Sequence, residues 1–149
     1  MKTICVIGLG YIGLPTAVLF AMKGFKVFGF DINESIVENI NNCKSHINEK
    51  DLDISLKEVV LKNYLMAKTN PSEADVYIIS VPTPHYLKNN GMYYPDISMI
   101  IDAIYSISPL LKKDDLIILE STSPVGTTEK IYKLILENTE LKFDQINIA

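Results

Sequence analysis

The stretch "ICVIGLGYIGLPTAVLFAMKGFKVFGFD", residues 4–31, places the tightest limit on what this chain can fold into. Gly8, Gly10 and Gly13 follow an apolar run, and Asp31 closes a second apolar run. Thr3 to Ile7 is β-branched and apolar, the pattern of a strand buried on both faces. From Tyr11 to Lys23 the period turns helical, and Gly24 with Phe25 reads as a helix C-terminus with a left-handed glycine and a hydrophobic contact. Lys26 to Phe30 reads as a second strand. No charge occurs from Thr3 to Met22, which also imitates a secretory leader or a single membrane span. Gly8, Gly10, Gly13 and Pro15 would break such a segment, so a strand–turn–helix is the expectation.

In that context each glycine has a physical task. Gly8 permits the tight turn out of the strand, Gly10 lets a phosphate approach the backbone, and Gly13 lets the helix pack close to the sheet. The helix N-terminus offers N–H groups and about half a positive charge to an anion. Asp31 stands 23 positions after Gly8, near the spacing at which a strand-end acid holds the ribose of a dinucleotide. The competing reading is a glycine-rich turn with a capping aspartate. A 2′-phosphate beside Asp31 would meet a like charge, costing about 1–4 kcal/mol at ~4 Å. All 14 basic residues are lysine, so no arginine offsets that repulsion. The expected cofactor is therefore NAD rather than NADP.

The 149 residues suit one domain. With 48% hydrophobic and 21% charged residues, the chain reads as globular. Net charge is −4 with no basic stripe, which argues against a nucleic-acid partner. Cys5 and Cys43 give neither a disulfide framework nor metal spacing, so a reducing cytoplasm and no metal are expected. His46 and His85 read as solvated loop residues.

Further along, Asn33 is placed to cap a helix burying Ile36, Val37 and Ile40. Residues 43–55 read as irregular, Ser55 to Lys62 as a short helix, and Leu65 to Lys68 and Val76 to Val81 as strands. "PTPHYLKNNGMYYPD", 82–96, reads as a long loop. Asp96 is placed to cap a helix with Ile97, Ile100, Ile101, Ile104 and Leu111 inward. Leu116 to Leu119 reads as a strand, followed by a helix burying Ile131, Leu134 and Ile135, and "INIA" begins another strand. This alternation predicts an α/β fold of Rossmann type: a doubly wound, mostly parallel sheet with helices on both faces. No internal boundary is expected in 1–149, and the apolar end predicts a longer parent protein.

Two later stretches fall at strand ends, where open α/β sheets place their ligands. They are "SVPTP" at 80–84 and "ESTSPVGTTE" at 120–129. With "GLGYIGLP" they resemble the N-terminal domain of the UDP-glucose/GDP-mannose dehydrogenase family, in wording most like the branch acting on UDP-N-acetyl-mannosamine. The resemblance implies oxidation of the C6 primary alcohol of a UDP-sugar to a carboxylate with two NAD, through a cysteine-held intermediate, and a role in polysaccharide biosynthesis. It implies that Gly8, Gly10, Tyr11, Ile12 and Gly13 line the pyrophosphate and that Asp31 holds the adenosine ribose. Val81, Pro82 and Thr83 would run beside the adenosine half. Ser121 and Thr122 would approach the nicotinamide, with Thr122 as the catalytic residue placing a water or the substrate oxygen.

Three departures qualify the resemblance. Ile36 stands where some relatives carry arginine, "VPTP" replaces a "VNTP"-like wording, and neither Cys5 nor Cys43 stands in the catalytic cysteine's context. The central helical and UDP-sugar domains, and the segments implied to form a homodimer, are not in these residues. The fragment alone is expected to bind NAD without turnover. UDP-glucose and UDP-N-acetyl-glucosamine remain alternative substrates. Another NAD-dependent alcohol dehydrogenase and a non-catalytic NAD or nucleotide sensor remain alternative readings.

Overall fold

The computed structural model describes residues 2–87 and 91–149. The paired asparagines read as part of a loop, Asn89 and Asn90, lie outside the described residues. Strand β1 (Thr3–Ile7) leads through the glycine turn into helix α1 (Gly13–Met22), followed by β2 (Lys26–Phe30), α2 (Glu34–Asn41), α3 (Lys50–Leu61), β3 (Leu65–Lys68) and β4 (Val76–Ile79). Two short strands follow, β5 (His85–Leu87) and β6 (Tyr93–Pro95), then α4 (Ser98–Ile107), β7 (Leu116–Leu119), α5 (Thr127–Asn138) and β8 (Asn147–Ile148).

Among the described residues, six strands form one sheet in the order β3-β2-β1-β4-β7-β8, every pair parallel. Chain order therefore runs outward from β1 in one direction and then, from β4, in the other. The expected fold class is the one observed. Two cores result, one per face. Val6, Leu14, Val18, Ile40 and Leu56 pack with α1, α2 and α3 on one side. Cys5, Ile7, Ile79, Ile104, Ile131 and Ile135 pack with α4 and α5 on the other. Central strands lined on both faces are why β1 and β4 read as unbroken apolar runs.

The punctuation residues act largely as expected. Gly24 has φ +86, the amide of Phe25 donates to the Phe20 carbonyl at 3.2 Å, and the two rings meet edge to face at 5.9 Å. The Asn33 side chain accepts from the Ser35 amide at 3.0 Å, capping α2.

Several boundaries differ. Helix α1 starts at Gly13 rather than Tyr11, because Tyr11 and Ile12 form the turn. Helix α3 starts at Lys50, five residues before the expected Ser55. Asp51 and Asp53 favour its positive end, and Leu52, Leu56 and Val59 give it a buried stripe. Strand β4 ends at Ile79, two residues before the expected Val81, although the Ser80 amide still donates to the Ile7 carbonyl at 2.8 Å. The expected loop 82–96 contains the antiparallel β5–β6 pair, where Tyr86 stacks on Tyr94 at 6.2 Å. Asp96 precedes the first turn of α4 by two residues and accepts from the Ser98 amide at 2.8 Å. Leu111 lies beyond α4 and still packs against the core. No helix among the described residues is long and apolar enough to cross a membrane.

Candidate cofactor site

A cleft of about 910 Å³ opens where the strand order reverses, outside the carboxyl ends of β1 and β4. The glycine turn forms its floor. Gly8 has φ +88, and a Cβ there would lie 2.9 Å from the Ser80 carbonyl oxygen. A Cβ on Gly13 would lie 1.8 Å from the Gly8 carbonyl oxygen, so helix and turn touch at this residue. Gly10 differs: a Cβ there would meet nothing within 4 Å, leaving open space on the cleft side. Leu9, between them, is fully buried and packs over Gly29. That inward turn carries its neighbours Gly10, Tyr11 and Ile12 to the cleft surface.

Asp31 stands beside this turn at the end of β2. Its Oδ2 accepts from the Leu9 amide at 2.9 Å, and its Oδ1 accepts from the Asn33 amide at 2.9 Å. Each carboxylate oxygen has about two acceptor positions, so one on each oxygen is left for hydroxyls of a ligand. Ile32, Ile36 and Met99 give the neighbouring wall apolar surface.

Beyond the switch point, the ends of β4 and β7 are tied together. The Ser121 hydroxyl donates to the Val81 carbonyl at 2.7 Å, with the Ile79 carbonyl at 3.1 Å, so this side chain serves the backbone. Thr122 lies next to it on the cleft lining, exposed, and Val81, Pro82 and Thr83 line the cleft with it. Every residue singled out in the sequence as a site residue except the tightly packed Gly13 thus lines one cleft, and Gly13 lies directly beneath it.

Sequence reasoning missed several of the lining residues. Met99, Asp102, Ala103 and Ser106 come from one face of α4. Their i, i+3, i+4, i+7 spacing was present but merges with the adjacent buried stripe of Ile100, Ile104 and Ile107. Ile36, expected in the core, is half-buried and lines the cleft. Glu120 also lines it, although in the sequence it stands only as the first residue of "ESTSPVGTTE". Among the described lining residues the ionisable acids and bases of the charged types are Asp31, Asp102 and Glu120, with no lysine or histidine. A bound phosphate would therefore meet no side-chain cation there, only main-chain amides, the α1 terminus and uncharged side chains.

The remaining candidates stand elsewhere. Cys5 is fully buried, and burial pushes its thiol up to about 11, which makes it a poor nucleophile. Cys43, His46 and His85 do not line the cleft. No group of three His, Cys, Asp or Glu that could hold a metal ion occurs among the described residues.

Comparison with known proteins agrees with this geometry. Residues 2–149 match the model of the UDP-glucose/GDP-mannose dehydrogenase family, NAD binding domain. The UDP-N-acetyl-D-mannosamine dehydrogenase of Campylobacter jejuni is 52% identical over 141 residues, 94% of this chain and 34% of that protein. The native structure of the UDP-N-acetyl-mannosamine dehydrogenase of Staphylococcus aureus superposes with a TM-score of 0.91 at 37% identity, over 99% of this chain and 35% of that one. A ternary complex of GDP-mannose dehydrogenase from Pseudomonas aeruginosa gives a TM-score of 0.87 at 26% identity, over 99% of this chain and 35% of that one. The chain thus spans about a third of the length of these relatives. With residues 2–149, nearly the whole chain, matching that model, the chain belongs to the UDP-glucose/GDP-mannose dehydrogenase family, as its NAD-binding domain.

Proposed function

We propose that this chain is the cofactor half of an NAD-dependent 6-dehydrogenase that oxidises the C6 alcohol of UDP-N-acetyl-mannosamine to a carboxylate. The observation that carries the reading is the convergence of the glycine turn, Asp31, residues 80–83 and residues 120–122 on one cleft at the switch point. The residues fit the cofactor: Gly10 leaves open space where a pyrophosphate approaches, and Asp31 keeps acceptor capacity for ribose hydroxyls. NAD, when bound, supplies the hydride acceptor for alcohol oxidation.

Gly8, Gly10, Tyr11, Ile12 and Gly13 form the pyrophosphate cradle, Asp31 holds the adenosine ribose, and Val81, Pro82 and Thr83 run beside the adenosine half. The Asp31 charge and a lining without lysine disfavour a 2′-phosphate. Ser121 fixes the end of β7 against β4, which sets the position of Thr122 at the nicotinamide end. A threonine hydroxyl there donates to an alcohol oxygen or accepts from water without adding charge. The catalytic cysteine, the sugar-binding residues and the dimer contacts belong to the rest of a longer parent protein that acts in the cytoplasm in polysaccharide biosynthesis.

The test uses the full-length protein. It is supplied separately with UDP-N-acetyl-mannosamine, UDP-N-acetyl-glucosamine and UDP-glucose, and the NADH formed per sugar is counted. The reading requires two NADH per sugar, with the first substrate turned over fastest. Turnover of none of the three contradicts it, and one NADH per sugar contradicts the double oxidation.

A further inference from the structure

The carboxylate at the far end of the cleft has no part in the roles above. Glu120 follows the last residue of β7, and both its oxygens are held. The Ser80 hydroxyl donates to Oε2 at 2.5 Å, and the Thr16 hydroxyl donates to Oε1 at 3.0 Å. An ionised carboxylate is acceptor-only, so two hydroxyl donors suit the charged form. Thr16 sits on α1, Ser80 just past β4 and Glu120 just past β7. The bonds from α1 and from the end of β4 hold this solvent-exposed negative charge against the cleft.

Its position relative to Asp31 follows from the sheet. Asp31 follows the end of β2 and Glu120 the end of β7, with β1 and β4 between them. Three strand spacings separate the two ends, about 14 Å. A dinucleotide whose adenosine ribose is held at Asp31 crosses the switch point and lays its other nucleotide over β4 and β7. That end is where Glu120 lines the cleft.

We infer that Glu120 makes the site prefer the oxidised over the reduced cofactor, an inference that rests on the cofactor orientation proposed above. The nicotinamide ring carries a positive charge when oxidised and none when reduced. The pyrophosphate is the same in both, so its repulsion by Glu120 cancels in the ratio of the two affinities. What remains is the attraction between a fixed carboxylate and a cationic ring. With no basic side chain among the described lining residues, no neighbouring cation offsets it. Such a charge favours replacement of spent cofactor by fresh, which a double oxidation requires.

The experiment titrates the 149-residue chain and its Glu120→Gln variant with NAD⁺, NADH and ADP-ribose, the last lacking the ring. Glu120→Gln is expected to weaken NAD⁺ about five- to tenfold, as for a unit charge several Å away in a partly solvated cleft. NADH and ADP-ribose should stay within about twofold. Thr16→Val removes a hydroxyl but keeps the charge, and should preserve the wild-type NADH-to-NAD⁺ ratio. Equal weakening of all three ligands by Glu120→Gln assigns it a scaffolding role and overturns the inference, as does an unchanged ratio. A Thr16→Val ratio that collapses like that of Glu120→Gln also overturns it. Should Glu120→Gln fail to fold, the wild-type ratio is measured against salt: it should narrow as ionic strength rises, and a salt-independent ratio contradicts the inference. If the wild type binds none of the three ligands, the cofactor-site reading itself fails. If all three bind and the ratio ignores Glu120, only this inference fails.

Discussion

The carboxylate of Asp31 accepts the Leu9 amide at 2.9 Å, which joins the end of β2 to the turn that follows β1. The acid is thus part of the cradle's own hydrogen bonding before any ligand arrives. Its other oxygen holds the Asn33 amide, and Asn33 in turn caps α2. Turn geometry and the entry to α2 rest on the same side chain, the one proposed above to hold the ribose.

Asp31→Asn tests this coupling. An asparagine offers one acceptor oxygen, so it can serve the Leu9 or the Asn33 amide but turns an N–H₂ toward the other. Hydrogen bonds to a charged group are worth about 1.5–3 kcal/mol, so NAD affinity should fall about tenfold or more. Repulsion of a 2′-phosphate disappears with the charge, so preference for NAD over NADP should shrink. Calorimetric titration with both dinucleotides reads the two effects; unchanged NAD affinity removes Asp31 from the site.

Gly10 and Gly13 should separate binding from folding. Gly13→Ala drives a methyl to 1.8 Å from a backbone oxygen, and overpacking of that kind costs about 3 kcal/mol. For a chain of this size the melting temperature should drop by roughly 10 °C. Gly10→Ala meets open space, so its melting temperature should stay within about 2 °C of wild type while NAD binding weakens more than about tenfold. Thermal melts and titrations of both variants check the contrast.

Asp75 gives the fold an acid-sensitive tie. It accepts from the amide and the hydroxyl of Thr3, at 2.6 and 2.9 Å, and these bonds hold its carboxyl below the usual carboxylate range. The folded chain therefore binds this proton less readily than the unfolded chain. The stabilisation is present above about pH 4 and is lost as pH falls through the lower folded value. Asp115, raised by burial, contributes in the opposite sense and is retained in Asp75→Asn. The gap in melting temperature between wild type and Asp75→Asn should be open at pH 7 and close as pH falls through the lowered folded value. A gap independent of pH contradicts this assignment.

Thr122→Val in the full-length enzyme should lower turnover about a hundredfold, the scale of losing one donor at a reacting oxygen. NAD affinity of the same variant should hold within about twofold, since a valine keeps the shape. Steady-state rates and a parallel titration separate the two, and a matching loss of NAD affinity would reassign Thr122 to cofactor binding.

Much of this architecture was legible because local signals and burial agreed. The glycine spacing, the Gly24–Phe25 helix end and the Asn33 cap each state a backbone requirement that only a few residue types meet. Buried parallel strands such as Thr3–Ile7 announce themselves as unbroken apolar runs. What stayed hidden depends on tertiary placement. Met99, Asp102 and Ser106 share a helix with the buried Ile100, Ile104 and Ile107, and only the packing angle of α4 decides which face meets the cleft. Glu120 stands in the sequence only as a motif's first letter, and its bond to Thr16, 104 positions earlier, exists only in the folded chain. The β5–β6 pair lies in a segment whose prolines and glycine read as loop, and its single rung of tyrosine pairing, Tyr86 with Tyr94, is invisible without the register.

The most direct measurement is a crystal structure of the chain grown with NAD. The account predicts density across the ends of β1 and β4, with the diphosphate on the amides of residues 10–13 and the adenosine ribose hydroxyls on Asp31. An empty cleft, or a dinucleotide bound with its adenosine end over β7 and away from Asp31, would contradict it.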